Sequence, residues 1–347
     1  VYATFCGLNH KGYLTFCFSY MHMHELRKDY LLDEWVIIAT SRSKRPQHLK
    51  HKAKRSPKSK CPFCPGHEGW TPKEIARYAA KDGKWRKRVV PNKFPAVQTK
   101  GNIKKVSKGF IKALTAFGAH EVIIETPDHN RDLADLSIEE IIELLQIYKE
   151  RFLALSRRAN IKEITIFKNQ GFSAGASLSH AHSQIIATNK VSERFGMELK
   201  AFREYKRKNK ACPYCRIIKQ ELNSKRMVYN SDSFACFTPF ASRAAYQLLV
   251  FPKKHRANIA SLTDGELEEF ARVLKTALLA LKELNADFNY FIHMPIKGDF
   301  HMHLNLMPRV LLRAGFEEAT ECIINIVAPE QAAGFYRKFF KGSKWLK

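Results

Sequence analysis

"SLSHAHSQIIAT", residues 177–188, sets two histidines and a glutamine at alternate positions and then runs into an apolar segment. In an extended chain, side chains at i, i+2 and i+4 leave the same face. His180, His182 and Gln184 therefore share one surface of a predicted strand that Ile185 and Ile186 continue. Two imidazoles and an amide on one surface either meet a metal, or include a group that attacks something, or stand together by accident.

The stretch has a counterpart in "HMHLNLMP", residues 301–308, and the segments before the two copies also correspond. "HNRDLADLSIEE" from His129 and "HRANIASLTDGE" from His255 align without a gap. Each histidine stands eight residues before a hydroxyl, Ser137 (137 − 129 = 8) or Thr263 (263 − 255 = 8), with Glu140 or Glu266 three residues on. This is capping-box spacing, in which hydroxyl and acid satisfy the orphan donors of a first helical turn. Amphipathic helices are predicted over 138–157 and 264–284, each followed by an apolar β-type stretch, "EITIFKN" or "FNYFIHM". The order of elements thus occurs twice, the signature of an internal repeat.

Four of the eight cysteines form two pairs, Cys61 and Cys64 in "CPFC" and Cys212 and Cys215 in "CPYC". Two thiolates so spaced on a tight turn can reach one tetrahedral zinc. A thioredoxin-like redox pair is the competing reading. The pairs are 148 residues apart (212 − 64), too far for a zinc ribbon, so each seeks two ligands of its own. The repeat supplies them: Cys61, Cys64, His129 and His180 in the first half, Cys212, Cys215, His255 and His301 in the second. Each set suits four-coordinate structural zinc, about two ions per chain. Cys6, Cys17, Cys236 and Cys322 read as ordinary thiols. Nothing in the cysteine usage calls for an oxidising compartment, and the expected location is the cytoplasm.

The two halves differ in chemistry. The first His-x-His follows "NQGFSAGASLS", residues 169–179, where Gly171 and Gly175 among small residues let backbone donors approach a phosphate. The corresponding "MPIKGDF" has only Gly298, and Asn305 replaces the glutamine. The reaction centre is therefore expected in the first half, with structure and binding groups in the second.

Composition sets the frame. The chain has 347 residues, 45% hydrophobic and 12% aromatic, which fits a folded globular protein. No apolar run reaches the roughly 18 residues that span a bilayer, so no membrane association is expected. Residues 1–20 are apolar but broken by Asn9, His10 and Lys11; they read as an extension of uncertain status, not a signal peptide. The expected halves are 21–195 and 196–347. The net charge of +26 includes eight Lys/Arg and no acid from Lys44 to Lys60. A nucleic-acid surface and a solvated basic face around a phosphorylated small molecule both explain it. No nucleic-acid-reading motif accompanies the charge, so no specific nucleic-acid partner is expected.

Taken together, "ELRKDYLLDEWVIIATSRSKRP", "CPFCPGHE", "PNKFPAV", "HEVIIETPDH", "NQGFSAGASLSHAHSQ" and "GFEEAT...PEQAA" resemble the galactose-1-phosphate uridylyltransferase family, a two-repeat branch of the histidine-triad superfamily, over roughly residues 25–340. The resemblance implies an α/β fold of the α+β type. Two histidine-triad-like halves, each an antiparallel sheet flanked by helices, would share an extended sheet or interface, usually in a homodimer. It implies nucleotidyl transfer between a nucleotide sugar and a hexose 1-phosphate. His182 would be the nucleophile on the α-phosphorus, and Gln184 would hydrogen-bond the phosphoryl oxygens. Ser177 and Asn169 would bind phosphate, Asn92 would lie near the nucleotide, and His180 would be a zinc ligand. Arg42 and Arg45 would approach the nucleotide sugar, sometimes from the neighbouring subunit, and Phe316, Glu317 and Gln331 would contact the hexose.

Familiar uridylyltransferases read His-Pro-His-Gly-Gln where Ala181 and Ser183 stand here, and some relatives bind iron in the second half through a glutamate and histidines. Both departures are found in branches that include ADP-glucose phosphorylases, which use inorganic phosphate as acceptor. The leading expectation is a UDP-glucose–hexose-1-phosphate uridylyltransferase of galactose metabolism. The alternatives are an ADP-glucose phosphorylase or related adenylyltransferase and, from another class, a zinc-stabilised nucleic-acid-binding protein.

Overall fold

The computed structural model describes residues 24–44 and 57–346, together with the backbone of a hairpin at Thr4–Leu8 and Leu14–Cys17. Its centre is a ten-stranded antiparallel sheet. The first half contributes β1 (Ala76–Ala79), β2 (Trp85–Pro91), β3 (Gly118–Ile124), β4 (Glu163–Gln170) and β5 (His182–Thr188). The second contributes β6 (Met227–Asn230), β7 (Phe234–Phe237), β8 (Leu248–Pro252), β9 (Phe288–His293) and β10 (His303–Pro308). From either edge inward the order is the same, β1-β2-β3-β5-β4 on one side and β6-β7-β8-β10-β9 on the other. The halves meet where β4 pairs with β9, with Ile166 opposite Ile292 and Asn169 opposite Asn289.

Alternation along the strands divides the two faces. Ile123, Ile185, Ala187, Leu304 and Leu306 point to one side and join a single core cluster. Helices α1 (Ile138–Ser156) and α4 (Asp264–Glu283) cover that face. They begin where the capping boxes predict: Ser137 Oγ accepts the Glu140 N–H at 3.2 Å, and Thr263 Oγ1 accepts that of Glu266 at 3.2 Å. They end at Ser156 and Glu283, one residue short of the predicted ends. Leu144, Leu145 and Phe152 of α1 share the cluster with Phe270, Leu274 and Leu278 of α4. Each such side chain adds about 1.5–3 kcal/mol on burial, so this face is the main source of stability. Tyr148 and Tyr290 join hydroxyls across the halves at 2.7 Å, and Lys149 Nζ donates to Leu262 O at 2.9 Å.

The opposite face carries smaller clusters around the cysteine pairs. Val122 and Ile124 of β3 pack with Cys61, Phe63 and Cys64. Phe237 and Phe251 pack with Phe195 and Phe202 of α2 (Glu193–Asn209) and with Tyr214 and Ile218 of α3 (Pro213–Glu221). The expected boundary at 195/196 falls inside α2, and one core runs through both halves, so the repeat forms two arms of one sheet. A smaller sheet pairs Ile323–Asn325 in parallel with Trp35–Ala39, which pairs antiparallel with His24–Lys28. In the chain, Ile323–Asn325 stands between α5 (Gly315–Thr320) and α6 (Pro329–Gly342), and α6 enters the main core through Ala333, Tyr336 and Phe340. Among the described residues, no helix is long and apolar enough to cross a membrane.

Candidate active site and metal centres

β5 begins at His182, so His180 stands at the strand's entry and not within it. There its Nδ1 lies 3.5 Å from Cys61 Sγ and 3.6 Å from Cys64 Sγ, while His129 Nδ1 lies 3.3 Å from Cys64 Sγ. All four residues are buried, and their ligand atoms fall within 4.8 Å of one another. His180 Nε2 donates to Thr126 O at 2.7 Å, which leaves Nδ1 bare toward the thiols. Burial and Cys61 push the Cys64 thiol up to about 11. A cation at the centre would reverse that penalty, because thiolates are the ligand form. The second predicted set also comes together, with Cys215 Sγ 3.4 Å from His301 Nδ1 and 3.6 Å from His255 Nδ1. His301 Nε2 donates to Pro252 O at 2.7 Å, as His180 does to Thr126. This set is more open, with His255 at the surface and held to Asp299 at 2.7 Å. Each group of four could hold a metal ion.

Two residues past His180, His182 turns its Nδ1 back to the His180 carbonyl at 2.8 Å. A carbonyl only accepts, so Nδ1 carries the proton and the Nε2 lone pair is free. Burial, then the charge of Lys168, pushes this imidazole down to about 4, and it is neutral at physiological pH. Lys168 donates to His182 O at 2.9 Å and to Glu125 at 2.8 Å, so a fully buried ion pair holds the backbone of the histidine. Phe63 sets its ring 5.3 Å from that of His182. In front lies a cavity of about 580 Å³, lined by His182, Gln184, Gly175, Ser177, Asn92 and Trp70 among others.

In the second half the same positions are closed. Tyr214 of "CPYC" stands 5.0 Å from the His303 ring, as Phe63 does from His182. Gln247 donates to Asn305 at 3.0 Å where His120 meets Gln184 at 2.8 Å. Glu198 of α2 then fills the space. It lies 2.6 Å from His293 and 3.5 Å from His303, and accepts the Tyr214 hydroxyl. Burial acts to raise its pKa, but His293 and His303 prevail and hold the carboxylate down to about 2. The cavity left here is about 60 Å³. Glu198, His293 and His303 form a third group that could hold a metal. The Cys2His2 reading of this half stands beside a carboxylate–histidine cluster that sequence reasoning did not locate.

A duplicated sheet with a roomy cavity in front of its first His-x-His strand has known relatives. The profile of the galactose-1-phosphate uridyl transferase N-terminal domain matches residues 18–192, and one of a domain of unknown function matches residues 118–335. An ADP-glucose phosphorylase of Arabidopsis thaliana is 34% identical over 90% of this chain and 92% of its own length. A galactose-1-phosphate uridylyltransferase of Thermotoga maritima is 29% identical over 90% and 97%. The chain belongs to the galactose-1-phosphate uridylyltransferase family. Its members are nucleotidyltransferases, and so is this enzyme. The crystal structure of the Arabidopsis ADP-glucose phosphorylase with bound ADP-glucose superposes with a TM-score of 0.78 at 31% identity, covering 91% of this chain and 99% of that one. A uridylyltransferase structure gives 0.71 at 26%, covering 92% and 99%.

The residues that the resemblance singled out fall into two places. His182, Gln184, Ser177 and Asn92 share the large cavity. Asn169 lies on the neighbouring β4, bonded to Asn289 at 2.8 Å. Arg42 follows the strand Trp35–Ala39 of the small sheet, Phe316 and Glu317 lie on α5, and Gln331 lines a separate cavity of about 210 Å³ with Arg27 and Glu330. Arg45 lies outside the described residues.

His120 was not singled out. It stands two residues before Val122, which pairs with Gln184, so strand alternation puts it beside the glutamine. Its Nε2 lies 2.8 Å from Gln184 Oε1, and Asn92 Nδ2 donates to the same oxygen at 3.3 Å. Occupied there, Gln184 turns its NH₂ group to the cavity as a donor. Deleting one such donor lowers turnover by about 10²–10³, and deleting the residue that orients it costs less. His120→Ala should therefore lower kcat for nucleotidyl transfer by about tenfold, with Gln184→Ala the larger loss of about a hundredfold. Unchanged kinetics in His120→Ala would remove the orienting role.

Proposed function

We propose that this enzyme takes a nucleotidyl group from a nucleoside-diphosphate glucose onto His182 and passes it to a phosphate-bearing acceptor, with ADP-glucose as donor and inorganic phosphate as acceptor. The observation that carries the chemistry is the His182 ring itself. Its Nδ1 is committed to the His180 carbonyl, and its neutral Nε2 faces a roomy cavity beside the Gly175–Ser177 loop and the Gln184 amide. Nε2 attacks the α-phosphorus, the bond to the bridging oxygen breaks, and glucose 1-phosphate departs as an anion that needs no proton. The phosphoramidate keeps a high transfer potential. A phosphate oxygen then attacks the same phosphorus, the N–P bond breaks, and the imidazole returns to neutral with a nucleoside diphosphate as product. Gln184 and the loop amides stabilise the charge that grows on the phosphoryl oxygens in both steps.

The adenylyl form of this reading rests on the likeness to the Arabidopsis enzyme and on Ala181, Ser183 and the second Cys2His2 set. The uridylyl form, UDP-glucose with a hexose 1-phosphate, rests on the matched profile and the Thermotoga relative.

Zinc fits both Cys2His2 groups, because two thiolates and two imidazoles favour a closed tetrahedral site. Cys61, Cys64, His129 and His180 would hold one ion, and Cys212, Cys215, His255 and His301 the other. The ion would supply a rigid cross-link at the entry to β5. The group around the small sheet is read as completing the cavity of a second copy, which makes the working unit a homodimer. Phe316, half exposed, and the exposed Leu26 and Leu312 support that reading.

Two measurements test the proposal. Labelled glucose 1-phosphate should exchange into ADP-glucose without any second acceptor, faster than into UDP-glucose, and His182→Ala should abolish the exchange. Exchange that survives in His182→Ala would refute the nucleophile, and faster exchange with UDP-glucose would select the uridylyl form. In solution the enzyme should have twice the chain mass by light scattering, and a monomer that turns over at full rate would end the shared-site reading.

A further inference from the structure

We infer that Asn289, from the second repeat, is a positioning residue for the phosphate loop of the first. The loop Gly171–Ser177 follows β4 and delivers Gly175 and Ser177 to the cavity. Its own bonds are few: Gly175 N–H to Phe172 O at 2.9 Å and Ala176 N–H to Gly171 O at 3.1 Å. The rest of its support comes from β9 and the residue before it. Asn289 Nδ2 donates to Ala174 O in the loop and to Asn169 Oδ1 beneath it, both at 2.8 Å. Asp287 Oδ2 accepts the Ser173 N–H at 2.8 Å. Gly171 has a φ of +87°, and a Cβ there would lie 1.8 Å from Asp287 Oδ1, so the carboxylate occupies the place of a side chain.

The direction of the Asn289 amide is set from behind. Arg309 Nε donates to Asn289 Oδ1, and the Arg309 N–H donates to Asp287 O at 2.7 Å. A guanidinium only donates, so it fixes the oxygen of the amide and turns the NH₂ group toward the loop. The two-fold relation of the halves gives a control. By register, Thr165 and His293 occupy the positions equivalent to Asn289 and Asn169. Thr165 turns its hydroxyl to Glu163, and His293 faces Glu198. The clamp is built only on the side where the cavity is open. A loop whose amides are fixed before reaction needs no reorganisation as charge develops, so loosening it should reduce rate more than ground-state binding.

The kinetic part of this inference rests on the proposed His182 intermediate. Asn289→Ala should slow covalent labelling of His182 at saturating donor by about 30-fold, with inhibition by the nucleoside diphosphate weakened less than about threefold. Asn289→Asp keeps volume and the Arg309 partner but sets an acceptor against Asn169 Oδ1 and Ala174 O, so it should be as slow as the alanine. Asn169→Ala combined with Asn289→Ala should lose less than the product of the two single losses, since the two share one bond. Near-normal labelling by Asn289→Asp, or losses that multiply, would overturn the inference. Amide exchange over 171–177 decides the clamp separately: it should quicken in both Asn289 variants, and unchanged exchange overturns the clamp. A wild-type enzyme that is never labelled counts against the proposed function, while the exchange result still judges the clamp.

Discussion

Strand β5 has to satisfy two environments at once, and the arrangement of the molecule follows from how it does so. Ile185 and Ala187 must enter the core beneath α1 and α4, which obliges His182 and Gln184 to leave the opposite face. A slip of one residue would bury the imidazole in the core and expose the isoleucine. The strand is held in register along its whole length by β3, from His182 opposite Ile124 to Thr188 opposite Gly118. Its entry is tied by His180 to the thiols, and the backbone of His182 by the buried Lys168–Glu125 pair. The proposed nucleophile needs this because a small misplacement of the attacking atom is costly in rate.

Duplication explains how so much structure serves one cavity. Both halves carry the Cys-x-x-Cys turn, the His-x-His strand and an aromatic ring against its second histidine. They diverge in what stands in front of that histidine. In the first half there is an open space and a loop of small residues; in the second, Glu198 of α2 has moved in and paired with His293 and His303. The second half has kept its scaffold and given its side chains to support, through Tyr290 under α1 and Asn289 under the phosphate loop.

The parts that could be read in advance are local or repeated. The capping boxes at Ser137 and Thr263 place both helix starts because the bonds close within four residues. The two metal sets emerge because the pattern occurs twice, and one alone would have been ambiguous. His120 lay within reach of strand alternation once β3 was paired with β5. The Glu198–His293–His303 cluster was not legible, since it joins a helix to two strands with no counterpart in the first half. The Asn169–Asn289 bond depends on the register between the halves, which no local pattern sets. Arg42, Phe316, Glu317 and Gln331 came only from family resemblance; none of them lines the His182 cavity, and Gln331 lines a different one.

On the proposed function, both repeats share a metal-tied scaffold while only the first carries the reacting group. Cys61→Ser and Cys212→Ser separate the two roles, by zinc content per chain together with the rate of covalent labelling of His182. The wild type should hold about two zinc ions and each variant about one. Cys61→Ser should label at least about tenfold more slowly, because the support of the strand entry is lost. Cys212→Ser should label at nearly the normal rate and lose mainly thermal stability. Equal labelling by the two variants, or a full zinc complement in either, would rule out this division between the repeats.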